Sequence, residues 1–399
     1  MKNESLPKVI VADIPMNRAR RKLGDAAYGF IFAKSAGRCQ FCNKLLYEHQ
    51  LTTEDCNLAE LAHIVAFKEA GARGDKIKSS LLDGKECNFL LLCHDCHRLI
   101  DHEGKYEYTE EFLVNLKRER EEEIRELTEI ISSCKTNCIV YTAKIGTYMP
   151  TISNEEIKLA LRGDRKYPAR REPINLCGSD YGVVDSDSGY WTVENTRLEK
   201  HFRERVFNGN ENIRQIQDYS VFALAPQPLL VRLGTLLESK TTVHVYQRHR
   251  EPKETWEWLP SEYHDELCIT VPQPESKGFP VLILAISADA IIENVRSQLS
   301  DCSENIWVVK ASNPNYSWCA NRYQQRQFRE TVRRVLNLIK NECPGESIHV
   351  FMAIPNSLAI EFGRLWMPKA DASLLLYDID RETKLYNMVS LLSTKNGRG

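Results

Sequence analysis

Two C-x-x-C pairs constrain the fold of this chain more than any other feature. Cys39 and Cys42 form the first pair, and Cys93 and Cys96 form the second. Two thiolates at this spacing bind one zinc ion without strain, and two such pairs complete a tetrahedral site. Fifty residues separate Cys42 from Cys93. The sequence therefore predicts a structural Zn²⁺ site of four cysteines with a long insertion between its two halves.

Length and composition limit the class of protein. A chain of 399 residues is too long for one ordinary core, so we expect two or three domains. It has no run of 18 apolar residues and no apolar stretch near its start, so we expect no membrane span, no export signal and a cytoplasmic location. In that setting most of the 13 cysteines are expected to be reduced thiols or metal ligands. The net charge of −2 means that any DNA-binding surface must be a local basic patch.

The insertion and the second cysteine pair contain residues suited to hydrolytic chemistry. His63 follows a short apolar run, Asn88 precedes Phe-Leu-Leu-Leu, and His97 directly follows the last cysteine of the zinc set. Asp101 lies four residues after His97, so on a helix the two side chains would share one face. Glu60 lies three residues before His63. This series of polar residues next to a zinc site predicts a catalytic centre.

The fragment from Asn88 to Asp101, with His63 upstream, resembles the zinc-ribbon form of the HNH (ββα-metal) endonuclease family over roughly 70 residues. The resemblance implies an α+β domain that cuts double-stranded DNA, with His63 as general base and Asn88 positioning it. It also implies that His97 binds the catalytic Mg²⁺ or Mn²⁺. An imidazole that titrates near neutrality suits the removal of a proton from water, and a divalent cation stabilises the transferred phosphoryl group.

One position departs from the HNH pattern. Many HNH enzymes have Asp or His immediately before the general base as a metal ligand, whereas this chain has Ala62. Asp101 and Glu60 are the candidates to complete the catalytic metal site. The metal shell is therefore the part of the predicted site that the sequence specifies least.

Periodicity indicates where the domains divide. We place the HNH domain at residues 1–140, closed by a helix from Thr109 to Ile131, then a linker and the start of the next domain at 141–180. In the region 181–399 apolar strand-like runs alternate with helical ones, which is typical of an α/β fold with a largely parallel sheet. The predicted strands are Ser220–Leu224, Thr242–Tyr246, Val281–Ile286, Ile306–Val309, Ile348–Ala353 and Leu374–Tyr377, and the clearest helices are Ala288–Leu299 and Gln325–Asn341.

The second half of the chain repeats a pattern. The segment from Val221 through Pro226 to Leu236 and the segment from Val350 through Pro355 to Leu365 share six identities, each at an offset of 129 positions. Both copies have the pattern of a buried strand, a turn at proline and a helix. This indicates an internal duplication and predicts two related α/β units about a pseudo-two-fold axis.

Residues 180–390 resemble the SAVED domain, in which two CARF-like units are fused. The resemblance depends on the duplicated segments, on the run from Gln247 to Arg250 followed by Trp256, and on the apolar run ending at Tyr377. It implies binding of a cyclic di- or trinucleotide second messenger. An HNH domain followed by SAVED is similar to effector nucleases of CBASS anti-phage systems, which implies activation through homo-oligomerisation and indiscriminate DNA cleavage.

The proline turns predict where such a messenger would bind. In open α/β sheets ligands bind beyond the carboxyl ends of the strands, and a helix that starts there favours phosphate. We expect proline turns, strand ends and following loops to contribute hydrogen bonds, charge and stacking surfaces. The candidate messenger-binding residues are Pro226, Ser287, Lys310, Tyr316, Trp318, Pro355, Asn356 and Ser357.

Two alternatives remain open from the sequence. The first is an HNH restriction endonuclease whose second domain recognises DNA sequence or modified bases, although residues 201–399 have no strong excess of Lys and Arg. The second is a non-catalytic zinc-ribbon adaptor that binds nucleic acid, which Ala62 favours.

Overall fold

The computed structural model describes residues 23–104, 106–129, 131–178, 182–187, 189–208, 216–237, 242–260, 265–300 and 303–393. The chain divides into two compact units, Met1–Ile130 and Ile131–Gly399. None of the helices in these described ranges has the length and apolar character needed to cross a bilayer.

The first unit is a small α+β fold built around two short antiparallel strands. Its elements are α1 (Asp25–Lys34), β1 (Glu60–His63), α2 (Lys78–Leu81), β2 (Phe89–Leu92), α3 (His94–Arg98) and α4 (Glu110–Thr128). In the register of the two strands His63 lies opposite Phe89. Because all four β2 residues are buried, this strand forms the centre of the core of the unit. Helix α3 follows β2 at once, packs against β1 and continues as a wider π turn through Leu99–Glu103.

Helix α4 confirms the predicted closing helix, but it ends three residues earlier than expected. The Thr109 side chain accepts a hydrogen bond from the Phe112 N–H at 3.2 Å, and Glu110 and Glu111 occupy the first turn, where acidic groups favour the helix dipole. Leu113 is fully buried, whereas Leu127 is 42% exposed. The apolar stripe therefore packs mainly at its N-terminal end.

The second unit begins with a parallel sheet. Its elements are β3 (Lys135–Thr142), α5 (Asn154–Gly163), β4 (Tyr167–Pro168), β5 (Ile174–Asn175), α6 (Tyr190–Phe202), β6 (Asp218–Leu224), α7 (Gln227–Leu237) and β7 (Thr242–Val245). The strand order is β4-β3-β6-β7, and β5 also pairs with β3. All of these pairings are parallel.

A six-stranded mixed sheet completes the second unit. Its elements are β8 (Leu267–Thr270), β9 (Val281–Ala285), α8 (Ala290–Leu299), β10 (Ile306–Ala311), α9 (Arg322–Glu342), β11 (Ile348–Ala353), α10 (Asn356–Leu365), β12 (Leu374–Ile379) and β13 (Tyr386–Leu392). The order is β13-β12-β11-β9-β10-β8. The four inner strands are parallel, and the two outer strands are antiparallel to their neighbours.

The strand predictions for the second half are confirmed, each to within two residues at either end. The division of the chain differs from the expectation. Residues 141–180 contain α5, β4 and β5, and β3 pairs along its length with β6. Seven of the eight β3 residues are buried, so this strand belongs to the core of the second unit. The second unit therefore starts at Ile131, earlier than predicted.

The duplicated segments have the same local structure. Each consists of a buried strand, β6 or β11, then a proline turn, then a helix, α7 or α10. The two helices pack against each other. The two proline turns, at Pro226 and Pro355, therefore lie at the carboxyl ends of strands in the two different sheets.

Candidate functional site

The four predicted zinc cysteines converge in the first unit. The sulfur atoms of Cys39, Cys42, Cys93 and Cys96 all lie within 4.8 Å of one another. A tetrahedral zinc with Zn–S bonds of about 2.3 Å places its sulfurs about 3.8 Å apart. The Cys42 and Cys93 Sγ atoms are 3.8 Å apart. The donor set and its spacing therefore fit a structural zinc ion.

Two short backbone motifs place these sulfurs. The first pair lies in a tight turn in which the Cys39 N–H donates to the Lys44 oxygen and Asn43 has a positive φ of 63°. The second pair lies at the start of α3, where the His97 N–H donates to the Cys93 oxygen at 3.0 Å. Burial raises the pKa of the Cys39 thiol, so thiolates here need a neighbouring cation.

Asn88 connects the end of β1 to the start of β2. It is 2% exposed. Its Oδ1 accepts from the Val65 N–H at 2.8 Å, and its Nδ2 donates to the Val65 oxygen at 2.9 Å. Asn88 therefore fixes the backbone two residues beyond His63.

His63 ends β1 and is half-buried. Its ring packs against Phe89, with the ring centroids 4.4 Å apart and an interplanar angle of 50°. This contact follows from the register, in which these two residues face each other across the strand pair. The imidazole is thereby fixed at the end of the strand pair where β2 begins.

His97 lies between two carboxylates. Its Nδ1 is 2.7 Å from Glu60 Oε2, and its Nε2 is 3.3 Å from Asp101 Oδ2. The other Glu60 oxygen is 2.9 Å from His94 Nδ1. The hydrogen bond to Asp101 raises the pKa of His97, and Glu60 adds to this effect.

The two carboxylates contact opposite edges of the His97 ring. Asp101 and His97 Nε2 lie together, as predicted for residues four apart on a helix, although the helix has widened into a π turn there. Glu60 instead faces Nδ1. In this arrangement Glu60 has the place of a group that orients a histidine ligand, not of a second ligand to an ion at Nε2. Across the part of the chain that the structure describes, the four cysteines are the one convergent group of three or more metal-ligating side chains.

Arg73 is a site residue that sequence reasoning missed. Its guanidinium donates to the main-chain oxygens of His63 at 3.2 Å, Ile64 at 2.7 Å and Ile100 at 2.7 Å. It also donates to Asp101 Oδ1 at 2.5 Å, and its side chain is 6% exposed. A guanidinium has the donors to link a strand end and a helix turn in this way. No spacing in the sequence singles Arg73 out.

The second unit contains a cavity of about 540 Å³ at the carboxyl ends of its strands. This volume is in the range of small-molecule sites. The walls come from the ends of β6, β11 and β12 and from the segment after β9. Helices α7 and α10 begin at this cavity, after Pro226 and Pro355, and the positive end of each helix dipole favours an anion there. Pro228 has no N–H, and the Ser357 N–H donates to Gln247 Oε1 at 3.1 Å.

The structure places five of the eight predicted messenger-binding residues around this cavity: Pro226, Ser287, Tyr316, Pro355 and Asn356. Tyr316 is 74% exposed and is the aromatic side chain available for stacking.

The other three predicted messenger-binding residues lie elsewhere. Trp318 is 1% exposed, and its indole N–H donates to Asp265 at 3.0 Å, so it is part of the core. Ser357 is fully buried. Lys310 pairs with Asp289 at 3.1 Å and does not line the cavity. The side-chain directions that decide this are set by packing, which the sequence positions alone do not specify.

Charged residues that the sequence did not place in the site also line this cavity. They are Asp185, Arg248, Arg250, Asp378 and Arg381. Arg248 and Arg250 follow β7, and Asp378 and Arg381 lie at the end of β12 and just after it. A signal was present in the sequence, because charged residues at strand ends are typical of ligand sites in α/β folds.

Comparison with known proteins identifies one part of the chain. Residues 198–389 match the family model described as the SMODS-associated and fused to various effectors sensor domain, SAVED. The chain is similar to the Cap4 SAVED/CARF-domain containing receptor of Acinetobacter baumannii with the cyclic trinucleotide 2'3'3'-cAAA, at 14% identity and a TM-score of 0.42, covering 71% of this chain and 55% of that one. It is also similar to the Moraxella osloensis Cap4 receptor, at 11% identity and a TM-score of 0.37, covering 70% and 54%.

The chain thus spans little more than half the length of these solved structures. No curated protein matches it. The family model covers the chain from the C-terminal part of α6 to the first half of β13, including most of the residues around the cavity. Residues 198–389 are therefore the part of the chain that matches the SAVED sensor domain.

Proposed function

We propose that this chain is a cyclic-oligonucleotide-activated, metal-dependent DNA endonuclease that degrades DNA in bacterial anti-phage defence. The observation that supports it most is the combination of a SAVED domain with a four-cysteine cluster beside His63, Asn88 and His97. A binding domain and a compact polar site on another unit suggest a sensor and an effector.

The sensor half of the proposal depends on the cavity. A cyclic di- or trinucleotide has phosphates, riboses and bases in a compact ring. The cavity offers helix N-termini at Pro226 and Pro355, the cations Arg248 and Arg250, and the exposed ring of Tyr316 at its wall. These groups suit phosphate binding and base stacking.

The effector half depends on the first unit. His63 would accept the proton of the attacking water, because an imidazole is a base at neutral pH. Asn88 would hold the backbone after His63 through its two hydrogen bonds to Val65. His97 and Asp101 would hold a Mg²⁺ or Mn²⁺ ion. When bound, such an ion supplies positive charge to the phosphate and the leaving oxygen.

Glu60 and Arg73 would orient those ligands. Glu60 at His97 Nδ1 favours the tautomer in which Nε2 has a free lone pair. Arg73 holds one oxygen of Asp101 and leaves Oδ2 beside His97. This arrangement compensates in part for Ala62, which provides no ligand.

We further propose that messenger binding promotes homo-oligomerisation, which activates the nuclease within a CBASS-type system, with double-stranded DNA as the substrate. Zinc would serve only the folding of the first unit, because four thiolates complete its shell and leave no open position.

Plasmid cleavage tests the proposal. The purified chain is incubated with supercoiled plasmid and Mg²⁺, with and without each member of a panel of cyclic di- and trinucleotides. We expect cleavage with one messenger and none without. Cleavage that is independent of every messenger would remove the sensor half and favour a restriction enzyme. Binding of a messenger without cleavage under any metal would instead favour the zinc-ribbon adaptor.

A further inference from the structure

The cavity in the second unit has charges of both signs. Arg248, Arg250 and Arg381 are basic, whereas Asp185 and Asp378 are acidic. A cyclic oligonucleotide carries a negative charge on every phosphate, so a carboxylate near a phosphate would oppose binding. The two acidic residues are therefore suited to the hydrogen-bond donors of a ligand, which lie on its bases and riboses.

The two carboxylates differ in the partners that they already have. Asp185 Oδ2 accepts from the Gly146 N–H at 2.8 Å and lies 3.6 Å from Arg381 Nε, and its side chain is 9% exposed. Asp378 ends β12 and accepts from the main-chain N–H of Ile379. Asp185 therefore has a main-chain donor and a cation at Oδ2, whereas Asp378 has, among the described residues, a hydrogen bond from the next residue of its own strand.

The surroundings of Asp378 favour a ligand that brings donors. Burial raises its pKa to about 7, and the nearby charge of Asp185 acts in the same direction. This shift indicates that the ionised carboxylate lacks sufficient stabilisation by the protein itself. A pair of N–H donors from a bound base would supply that stabilisation.

We propose that Asp378 is a specificity-determining residue that recognises a guanine base of the cyclic oligonucleotide. Guanine presents two parallel donors, N1–H and the N2 amino group, which match the two oxygens of a carboxylate. Adenine places an acceptor, N1, beside its amino group and would direct a lone pair at the carboxylate. A site that binds donors in this way discriminates strongly against a ligand lacking them, because its own polar groups are then left unpaired. This inference rests on the proposed messenger binding.

Calorimetry with defined ligands tests it. Cyclic di-GMP, cyclic GMP–AMP and cyclic AMP–AMP–GMP are compared with cyclic di-AMP and cyclic tri-AMP at pH 8, where the carboxyl is mainly ionised. We expect at least one guanine-containing ligand to bind the unmodified chain at least about 10-fold more tightly than its adenine-only counterpart of the same ring size. In Asp378→Asn we expect affinity for that ligand to fall by about 10- to 100-fold, with less than about a 3-fold change for the adenine-only ligands.

Asp289→Asn is the matched control. Asp289 pairs with Lys310 and does not line the cavity, so this variant should bind every ligand as the unmodified chain does. The proposal is overturned if the unmodified chain prefers adenine-only ligands, a result that needs no variant. It is also overturned if Asp378→Asn weakens all ligands equally. Failure of every cyclic oligonucleotide to bind the unmodified chain would overturn the proposed sensor function itself.

Discussion

Gly234 of α7 and Gly363 of α10 contact each other through their backbones at the point where the two helices pack. A Cβ added at Gly363 would lie 1.9 Å from the Val231 oxygen and 3.0 Å from the Gly234 Cα. A Cβ added at Gly234 would lie 2.1 Å from the Ile360 oxygen and 2.9 Å from the Gly363 Cα. These two glycines are an equivalent pair in the duplicated segments, so the contact lies on the pseudo-symmetry axis of those segments.

Gly363→Ala should therefore destabilise the second unit. The added methyl group has no room, and backbone atoms must move to accommodate it. We expect the free energy of unfolding to fall by about 3 kcal/mol, measured by urea denaturation. Gly163→Ala is the control, because nothing lies within 4 Å of a Cβ at that helical position and alanine should stabilise it by up to about 1 kcal/mol. Equal unfolding midpoints for the two variants would contradict the close contact between α7 and α10.

The cysteine cluster predicts dependence of the first unit on zinc. Cys96→Ser removes one of four converging sulfurs, so the free energy of zinc binding no longer stabilises the folded unit. We expect zinc content, measured by mass spectrometry of metals, to fall from about one ion per chain to nearly none, with loss of the melting transition of the first unit. Cys87→Ser alters an exposed cysteine outside the cluster. This control should keep both its zinc content and the melting transition of the first unit. Full zinc content in Cys96→Ser would exclude the four-cysteine site.

His63→Ala tests the proposed general base. We expect the rate of plasmid cleavage to fall by about 10²- to 10⁴-fold while the fold is retained and messenger affinity stays unchanged. His49→Ala is the matched variant in the same unit, because His49 is exposed and its imidazole Nδ1 is hydrogen-bonded to the neighbouring Thr52. Cleavage by His63→Ala at the rate of His49→Ala would refute this role.

Asn88→Ala should affect stability as well as cleavage. It removes both hydrogen bonds to the Val65 backbone and leaves a buried N–H and C=O without those partners. We expect the free energy of unfolding of the first unit to fall by about 2–4 kcal/mol, measured by denaturant titration. Asn57→Ala, at an exposed position where water can replace the amide, should cost far less. Similar losses in the two variants would show that the Val65 contacts are unimportant.

His249 predicts an acid-sensitive second unit. The residue is 3% exposed, its Nε2 has no hydrogen-bond partner among the described residues, and burial lowers its pKa to about 4. The unfolded chain binds a proton near pH 6.5, whereas the folded chain does not until about pH 4. Stability from this residue is therefore complete above pH 6.5 and is lost as the pH falls toward 4.

At pH 5.5 the free energy of unfolding contributed by His249 should be lower than at neutral pH by roughly 1 kcal/mol. Thermal unfolding of the unmodified chain and of His249→Gln at pH 7.5 and pH 5.5 measures it. We expect the unmodified chain to lose more stability than His249→Gln between these two values. An identical pH dependence in both proteins would mean that folding does not shift the pKa of His249.

Several features followed from local sequence alone. The four clustered cysteines, the strand and helix positions of the second half and its duplication could be predicted from spacing, periodicity and self-similarity, which are properties of the sequence itself. Strand β3 was missed, because its apolar run lies next to a polar, proline-containing segment that indicates a linker. Its role as the neighbour of β6 depends on a pairing partner about 80 residues away.

Contacts between distant residues were decided only by tertiary structure. Arg73 meets Asp101, and Asp378 shares a cavity with Asp185, because packing of the strands and helices brings together side chains that no short spacing relates. The same packing directs Glu60 to Nδ1 of His97 and places Trp318 in the core. Sequence thus determined which residue types and elements are present. The direction of each side chain, and therefore the composition of each site, required the three-dimensional arrangement of strand ends and helix faces.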